Sequence, residues 1–118
     1  MKTGNLFASV PTGLKEEFFE VLAEGDGELK VERIVSSQQL LPADKWYEQA
    51  TTEWVAVLKG SAVLGFETES LGHVYLEVGD WIEIPPMVRH RVERVSKNEE
   101  TVWLAIHWLS NDAKAQPE

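Results

Sequence analysis

Two side chains that could bind a metal ion or move protons stand beside short apolar segments of the sequence. Glu53 opens the valine-rich run EWVAVLKG, and His90 follows the segment GDWIEIPPMVR. Carboxylate and imidazole groups are ligands of divalent transition metals, and imidazole is also suited to proton transfer near neutral pH. The two residues therefore meet around a metal ion, act on each other as acid and base, or serve only as polar groups at strand ends.

Alternation along extended strands places these groups on apolar faces. Glu53 shares a face with the valines of its run, His90 shares one with Val92, and His107 shares one with Trp103. An ionised carboxylate on such a face costs free energy unless it finds a cation or hydrogen bonds. Three strands are thus predicted to offer one polar group each to a shared interior. In the purely structural alternative, Glu53 bonds a nearby arginine or loop amide and His90 donates to a carbonyl.

The elements that position these residues are predicted to be strands. Turn residues recur between short runs rich in valine, isoleucine and aromatic residues, a pattern typical of an all-β barrel or sandwich. The predicted strands are residues 29–36, 53–60, 61–68, 73–79, 81–85, 90–96 and 101–108.

The segment 14–24 is ambiguous, because its composition suits a helix while the following GDG could turn a hairpin. A short helical turn followed by a strand is the expectation. Residues 1–28 are therefore predicted to pack, as a helical turn, a first strand or both, on a barrel formed by residues 29–110. Residues 111–118 are polar and predict a flexible tail.

Composition limits the classes of function. The chain has 118 residues, 43% of them hydrophobic, which suits one domain with one core. Its net charge of -9 opposes binding to nucleic acid or to anionic membrane surfaces. The absence of cysteine excludes disulfides and thiolate chemistry. No signal-peptide pattern or membrane-spanning apolar run is present, so a cytoplasmic location is expected.

The segment around His90 resembles the second motif of the cupin superfamily, a group of small jelly-roll barrels. That motif runs glycine, five residues, proline, one residue, glycine, two residues and histidine. The residues of this chain at those places are Gly79, Pro85, Met87 and His90. Methionine thus replaces the second glycine, and Arg94 stands where the family has asparagine.

The segment around Glu53 resembles the closing half of the first cupin motif, in which a glutamate is followed seven residues later by glycine, here Gly60. The opening half, histidine, any residue, histidine, is replaced by Tyr47 and Gln49, and Leu41 stands at the place of an earlier glycine. The resemblance covers roughly residues 30–108. It implies an all-β, single-domain, double-stranded β-helix (jelly-roll) barrel, with Glu53 and His90 converging inside it.

The same resemblance implies a site for a divalent metal such as Fe, Mn, Ni or Zn, in a degenerate form. Glu53 and His90 would be ligands and catalytic groups, and Gln49 and Tyr47 would add an amide oxygen and a phenol. His107 could replace a missing nitrogen ligand. The substrate pocket is predicted to be formed by Trp46, His107, Trp103 and Arg91.

Two classes of function follow. The first is a metal-dependent enzyme of dioxygenase, isomerase or lyase type acting on a small organic molecule. The second is a barrel that binds or senses a small molecule without a metal and without turnover. Because exposed strand edges invite pairing with another chain and the strands carry many aromatic residues, a homodimer is also expected.

Overall fold

The computed structural model describes residues 1–38 and 45–109, and this part of the chain contains strands and turns but no helix. The all-β prediction is confirmed. The strands are β1 (Phe18–Gly25), β2 (Leu29–Ser36), β3 (Thr52–Lys59), β4 (Ser61–Phe66), β5 (His73–Glu77), β6 (Trp81–Ile84), β7 (His90–Val95) and β8 (Thr101–Trp108). The tail predicted at residues 111–118, the last residue of the predicted barrel and Leu41 lie outside the described residues.

The strands form two antiparallel sheets. The larger has five strands in the order β1-β2-β8-β3-β6, and the smaller has three in the order β5-β4-β7. Side chains from both sheets form the core between them, because each sheet has an apolar face to bury. The buried core residues are Ile34, Val55, Val57, Ala62, Leu64, Leu76, Ile84, Val95, Trp103 and Ala105.

The helical turn expected within residues 14–24 is wrong. Most of that segment belongs to β1, which pairs with β2 from Phe18 opposite Val35 to Gly25 opposite Leu29, with a bulge between Val21 and Ala23. Pairing satisfies backbone groups and extends the sheet, which outweighs a weak helical preference. No helix in the described part of the chain is long and apolar enough to cross a membrane. The homodimer stays a prediction.

Strand register concentrates the polar groups at one end of the barrel. His107 of β8 is paired with Lys30 of β2 on one side and with Glu53 of β3 on the other. Two residues further along, Val55 faces Ala105, and both are buried in the core. Paired residues point to the same face of a sheet. The interior is therefore polar across one row and apolar in the rows beyond it, as the alternation of β3 and β8 predicts.

The turn from β3 to β4 depends on Gly60. Its φ of +81° lies in the left-handed region, and a Cβ atom at this position would lie 2.8 Å from Thr101 Oγ1 and 3.1 Å from the Glu100 carbonyl oxygen. Both backbone conformation and space thus require glycine here. This turn ends the strand that carries Glu53, so it also fixes the start of β4 against β8.

Substitution of Gly60 by alanine tests this constraint. Gly60→Ala is expected to lower the free energy of unfolding by about 2–3 kcal/mol, because strain and a backbone clash add. Gly72→Ala is the matched control, since Gly72 also has a positive φ (+62°) but its Cβ would meet only the Glu69 carbonyl oxygen at 3.9 Å. It should lose about 1 kcal/mol in urea denaturation. Equal losses would show that crowding at Gly60 is unimportant.

Candidate functional site

A cavity of about 670 Å³ lies at the polar end of the barrel. Its exposed rim includes the hairpin between β1 and β2, and its deep end reaches the core residues Leu64, Ile84 and Trp103. A volume of this size accommodates a small organic molecule. The polar side chains that line it are Glu17, Glu24, Glu28, Lys30, Glu32, Tyr47, Gln49, Thr51, Glu53, His90 and His107.

Glu53 and His90 meet in this cavity, although they come from different sheets. Glu53 Oε1 lies 3.1 Å from His90 Nε2. Both residues are buried, with exposures of 7% and 6%. Such a pair is stable only when each group compensates the lost hydration of the other. The geometry therefore brings together the two residues that the sequence predicts as the centre of the site.

The two partners of His90 favour its doubly protonated form. Its Nδ1 atom lies 2.9 Å from the Val88 carbonyl oxygen, which can only accept a hydrogen bond. Its Nε2 faces the Glu53 carboxylate, so both nitrogens donate. Burial alone would lower the pKa of His90, but the hydrogen bonds to Glu53 and Val88 raise it above its ordinary value. For Glu53 the signs are reversed: burial alone would raise its pKa, but the hydrogen bond and the charge of His90 outweigh burial, so the pKa of Glu53 is lowered.

The segment that contains Tyr47 and Gln49 runs alongside His90. The Tyr47 amide donates to the His90 carbonyl at 2.8 Å, and the His90 amide donates back at 3.0 Å. The Met87 amide donates to the Gln49 carbonyl at 2.8 Å. Met87, at the motif's glycine position, has a φ of +66°, so the backbone keeps the left-handed conformation without glycine. As a result the Gln49 side-chain amide reaches Glu53 Oε1 and donates to it at 3.2 Å.

A second carboxylate, Glu17, lies beside Tyr47. Ser36 Oγ donates to Glu17 Oε2 at 2.7 Å, and the Trp103 indole donates to Ser36 Oγ at 3.1 Å. The Tyr47 phenol also interacts with the Glu17 carboxylate. Burial raises the pKa of Glu17 in spite of these hydrogen bonds. Burial and the negative charge of Glu17 raise the pKa of the Tyr47 phenol.

A third carboxylate, Glu32, binds the histidine of β8. Glu32 Oε1 lies 2.9 Å from His107 Nε2, and Glu53 Oε2 lies 3.7 Å from the same nitrogen. Lys30 Nζ lies 3.7 Å from Glu32 Oε2. His107 therefore bridges Glu32 and Glu53 across the polar row of the sheet. His107 points into the site because side chains alternate between the two faces of β8, and His107 shares its face with the core residues Trp103 and Ala105.

Sequence reasoning missed Glu17 and Glu32. Glu17 lies just before β1, in the segment predicted to be helical, where a glutamate reads as a solvent-exposed side chain. Glu32 had a usable signal, because it shares a strand face with Ile34, and a charged residue on a buried face needs a partner. Pairing that strand with β8 would have identified His107 as the partner.

The predicted pocket residues divide into two pairs. His107 and Trp103 line the cavity, whereas the structure places Trp46 and Arg91 outside its lining. The Arg91 guanidinium carbon lies 4.1 Å from the Trp46 ring centroid, and its Nε atom lies 2.8 Å from Glu93 Oε2. Arg91 follows His90 on β7, so alternation turns it away from the interior.

The residues predicted to hold a metal do not fit one as they lie. Among residues 1–38 and 45–109, no group of three or more His, Cys, Asp and Glu side chains is arranged to hold a metal ion. His90 Nε2 faces Glu53, the Gln49 amide donates to the same carboxylate, and the Tyr47 phenol faces Glu17. The donor atoms thus satisfy one another instead of converging on one point. Metal binding remains a prediction, and its identity is open.

Comparison with solved structures places the fold among known barrels. A protein of Ralstonia eutropha, provisionally named a mannose-6-phosphate isomerase, is 43% identical with a TM-score of 0.85, covering 93% of this chain and 100% of that one. An RmlC-like cupin protein of Desulfovibrio desulfuricans is 19% identical with a TM-score of 0.68, covering 90% and 95%. An RmlC-like cupin family protein of Methanocaldococcus jannaschii, with a double-stranded β-helix fold, is 14% identical with a TM-score of 0.61, covering 88% and 89%. No family model and no curated protein matches the chain.

The buried pair predicts a specific pH dependence of stability. The raised pKa of His90 means that its contribution is fully present below its ordinary value of 6.5 and is lost as pH rises through the folded pKa. The lowered pKa of Glu53 means that its contribution is present above 4.5 and is lost as pH falls through the folded pKa. Both contributions are therefore complete between these two values.

His90→Gln tests this dependence. It should lower the free energy of unfolding by roughly 2 kcal/mol at about pH 6, because Glu53 loses its cation but keeps a donor. The difference from wild type should shrink as pH rises above the folded pKa of His90, measured by urea denaturation. Glu53 and Glu17, the charged groups that act on the pKa of His90, stay unchanged in this variant. His73→Gln, at an exposed histidine, is the control and should leave the pH profile unchanged. A difference that is constant with pH would contradict the assigned charge.

Elemental analysis tests metal binding. Protein purified without a histidine tag is expected to hold well under one equivalent of Fe, Mn, Ni or Zn, because the donor atoms are engaged with one another. Addition of each metal should leave the unfolding temperature unchanged. If wild-type protein holds a stoichiometric amount of metal and both Glu53→Ala and His90→Ala lose it, the result would support the metal site implied by the sequence motifs.

Proposed function

Because the chain belongs to the cupin superfamily, we propose that it binds a small polar organic molecule in its barrel and transfers protons on that molecule. The observation that carries this proposal is the buried contact between His90 and Glu53 at the cavity wall. This contact places an imidazole whose pKa is raised beside a carboxylate whose pKa is lowered. An acid of this kind, placed in a cavity, is the central component of general acid catalysis.

Glu17 is the base in this proposal. Its pKa is raised while that of Glu53 is lowered, so two carboxylates lining the same cavity differ in proton affinity. Such separation of pKa values marks acid and base roles at many sites. Glu53 stays ionised and keeps His90 protonated and oriented. Tyr47 orients Glu17 by a hydrogen bond, and Gln49 does the same for Glu53.

The reaction class that uses these groups is an isomerisation next to a carbonyl. Glu17 takes a proton from the hydroxyl-bearing carbon beside the carbonyl, and the electron pair of that C–H bond forms a carbon–carbon double bond. The carbonyl oxygen takes the Nε2 proton of His90, which gives an enediol. The protonated Glu17 then returns its proton to the former carbonyl carbon, and the hydroxyl on the other carbon gives its proton to the now neutral Nε2 of His90. The shift is complete without an oxidant or reductant. The name of the Ralstonia protein supports an isomerase class.

A barrel that binds its ligand without turnover is the second candidate. Within the described residues, His90, Glu53, Glu17 and Gln49 each already have a hydrogen-bond partner in the protein. A fully satisfied polar network gives a rigid binding wall as readily as a catalytic one. The metal-dependent enzyme implied by the sequence motifs would instead require Glu53 and His90 to separate around the ion.

Deuterium exchange tests proton transfer before the natural substrate is identified. Small aldoses and ketoses, with and without amino groups, are incubated with the protein in deuterium oxide and followed by proton NMR. The signal of the C–H group beside the carbonyl should disappear, because the abstracted proton is replaced from solvent. His90→Gln and Glu17→Gln should each slow this exchange roughly 100-fold or more.

His73→Gln is the matched control and should exchange at the wild-type rate, since His73 is exposed and does not line the cavity. Wild-type protein that binds a compound of the set and exchanges no deuterium into it would support the binding barrel instead. Exchange that survives in both variants would remove His90 and Glu17 from the reaction.

A further inference from the structure

We infer that the ligand of this cavity carries a positive charge, as an amino sugar or another small amine does, and carries no phosphate group. This inference rests on the proposed function only in taking the cavity as the ligand site. The described lining contains five carboxylates, one ammonium group and no guanidinium. The acidic residues are Glu17, Glu24, Glu28, Glu32 and Glu53, and the ammonium belongs to Lys30.

The charges in the deep part of the cavity are largely balanced. Glu53 is paired with His90, and Glu32 lies between His107 and Lys30. Their fields therefore partly cancel at the buried end, where the proposed proton transfer takes place. An additional charged group of the ligand would not find a free counter-ion there.

The rim carries negative charge that is not balanced. Glu24 and Glu28 belong to the hairpin region of β1 and β2, are exposed, and have no ion pair within residues 1–38 and 45–109. Glu28 has a φ of +58°, so the tight hairpin fixes the direction in which its side chain leaves the backbone. A cleft lined by charges of one sign concentrates ligands of the opposite sign.

The cavity lining disfavours a ligand that carries a phosphate group. Phosphate sites use arginine, lysine or clustered backbone amides. In the part of the cavity that the structure describes, Lys30 is the only permanent cation of the lining, and it lies 3.7 Å from Glu32. A phosphate dianion would therefore meet the unpaired charges of Glu24 and Glu28 at the rim, and at the buried end it would find Lys30 and His90 already paired with carboxylates. The sugar phosphate in the name of the Ralstonia protein does not suit this lining.

Aromatic side chains add a second attraction for cations. Phe19 lines the cavity, is 46% exposed, and meets Tyr47 edge to face with ring centroids 6.0 Å apart. The faces of such rings attract ammonium groups. Phe19 and Glu24 both belong to β1 and line the same cavity.

Single-cysteine probes measure the sign of the field without any knowledge of the natural ligand. The chain has no cysteine, so Ala50→Cys places one thiol in the cavity lining, and Ser70→Cys places one on the exposed turn between β4 and β5. Each variant is treated with cationic, neutral and anionic methanethiosulfonate reagents of similar size at low ionic strength. The neutral reagent corrects for accessibility.

The ratio of cationic to anionic reaction rates at position 50 should exceed the ratio at position 70 by on the order of tenfold. Glu24→Gln combined with Glu28→Gln should remove most of this excess, and Glu83→Gln, at an exposed glutamate outside the lining and distant in sequence from both probe positions, should leave it unchanged. Equal ratios at the two positions, or faster reaction of the anionic reagent at position 50, would overturn the inference.

Calorimetric binding of glucosamine, glucose and glucose 6-phosphate then tests ligand preference. Tighter binding of the amine than of the neutral sugar supports the inference, and tighter binding of the phosphate overturns it. Neither measurement depends on turnover. A preference for cations without deuterium exchange would therefore reject the proposed proton transfer and leave this inference standing. Deuterium exchange without a preference for cations would reject this inference and leave the proposed proton transfer standing.

Discussion

The structure depends on one buried contact, in which Glu53 of the larger sheet meets His90 of the smaller sheet at 3.1 Å. Neither group is stable alone in an interior that is apolar a few residues further along β3, because an unpaired buried charge costs several kcal/mol. Closure of the two sheets supplies each charge with its partner. The same closure forms the cavity, so folding and the assembly of the polar wall are one event.

Much of the fold could be predicted because the sequence repeats simple strand patterns. The predicted segment 29–36 coincides with β2, and 101–108 coincides with β8. Alternation along β3 and β8 placed Glu53 and His107 on the interior faces, and the strand register confirms it. Local periodicity suffices for such assignments, since each buried face requires apolar residues at every second position.

The remaining features depend on contacts between distant residues. Whether residues 18–25 form helix or strand is decided by pairing with β2, which composition does not report. The position of Glu17 follows from that pairing. The motif comparison identified Tyr47 and Gln49 as site residues at the places of two histidines. Their interactions with carboxylates, which disfavour a metal ion, depend on where each side chain finds its nearest partner.

The position of β1 at the end of the larger sheet links entry to the cavity with the proposed base. β1 is hydrogen-bonded to β2 on one side, and no strand of residues 1–38 and 45–109 pairs with its other edge. Glu17 directly precedes this strand, and Phe19 within it contacts Tyr47. The cavity wall beside Phe19 and the surroundings of the proposed base are therefore built by one short stretch of chain at the edge of the sheet.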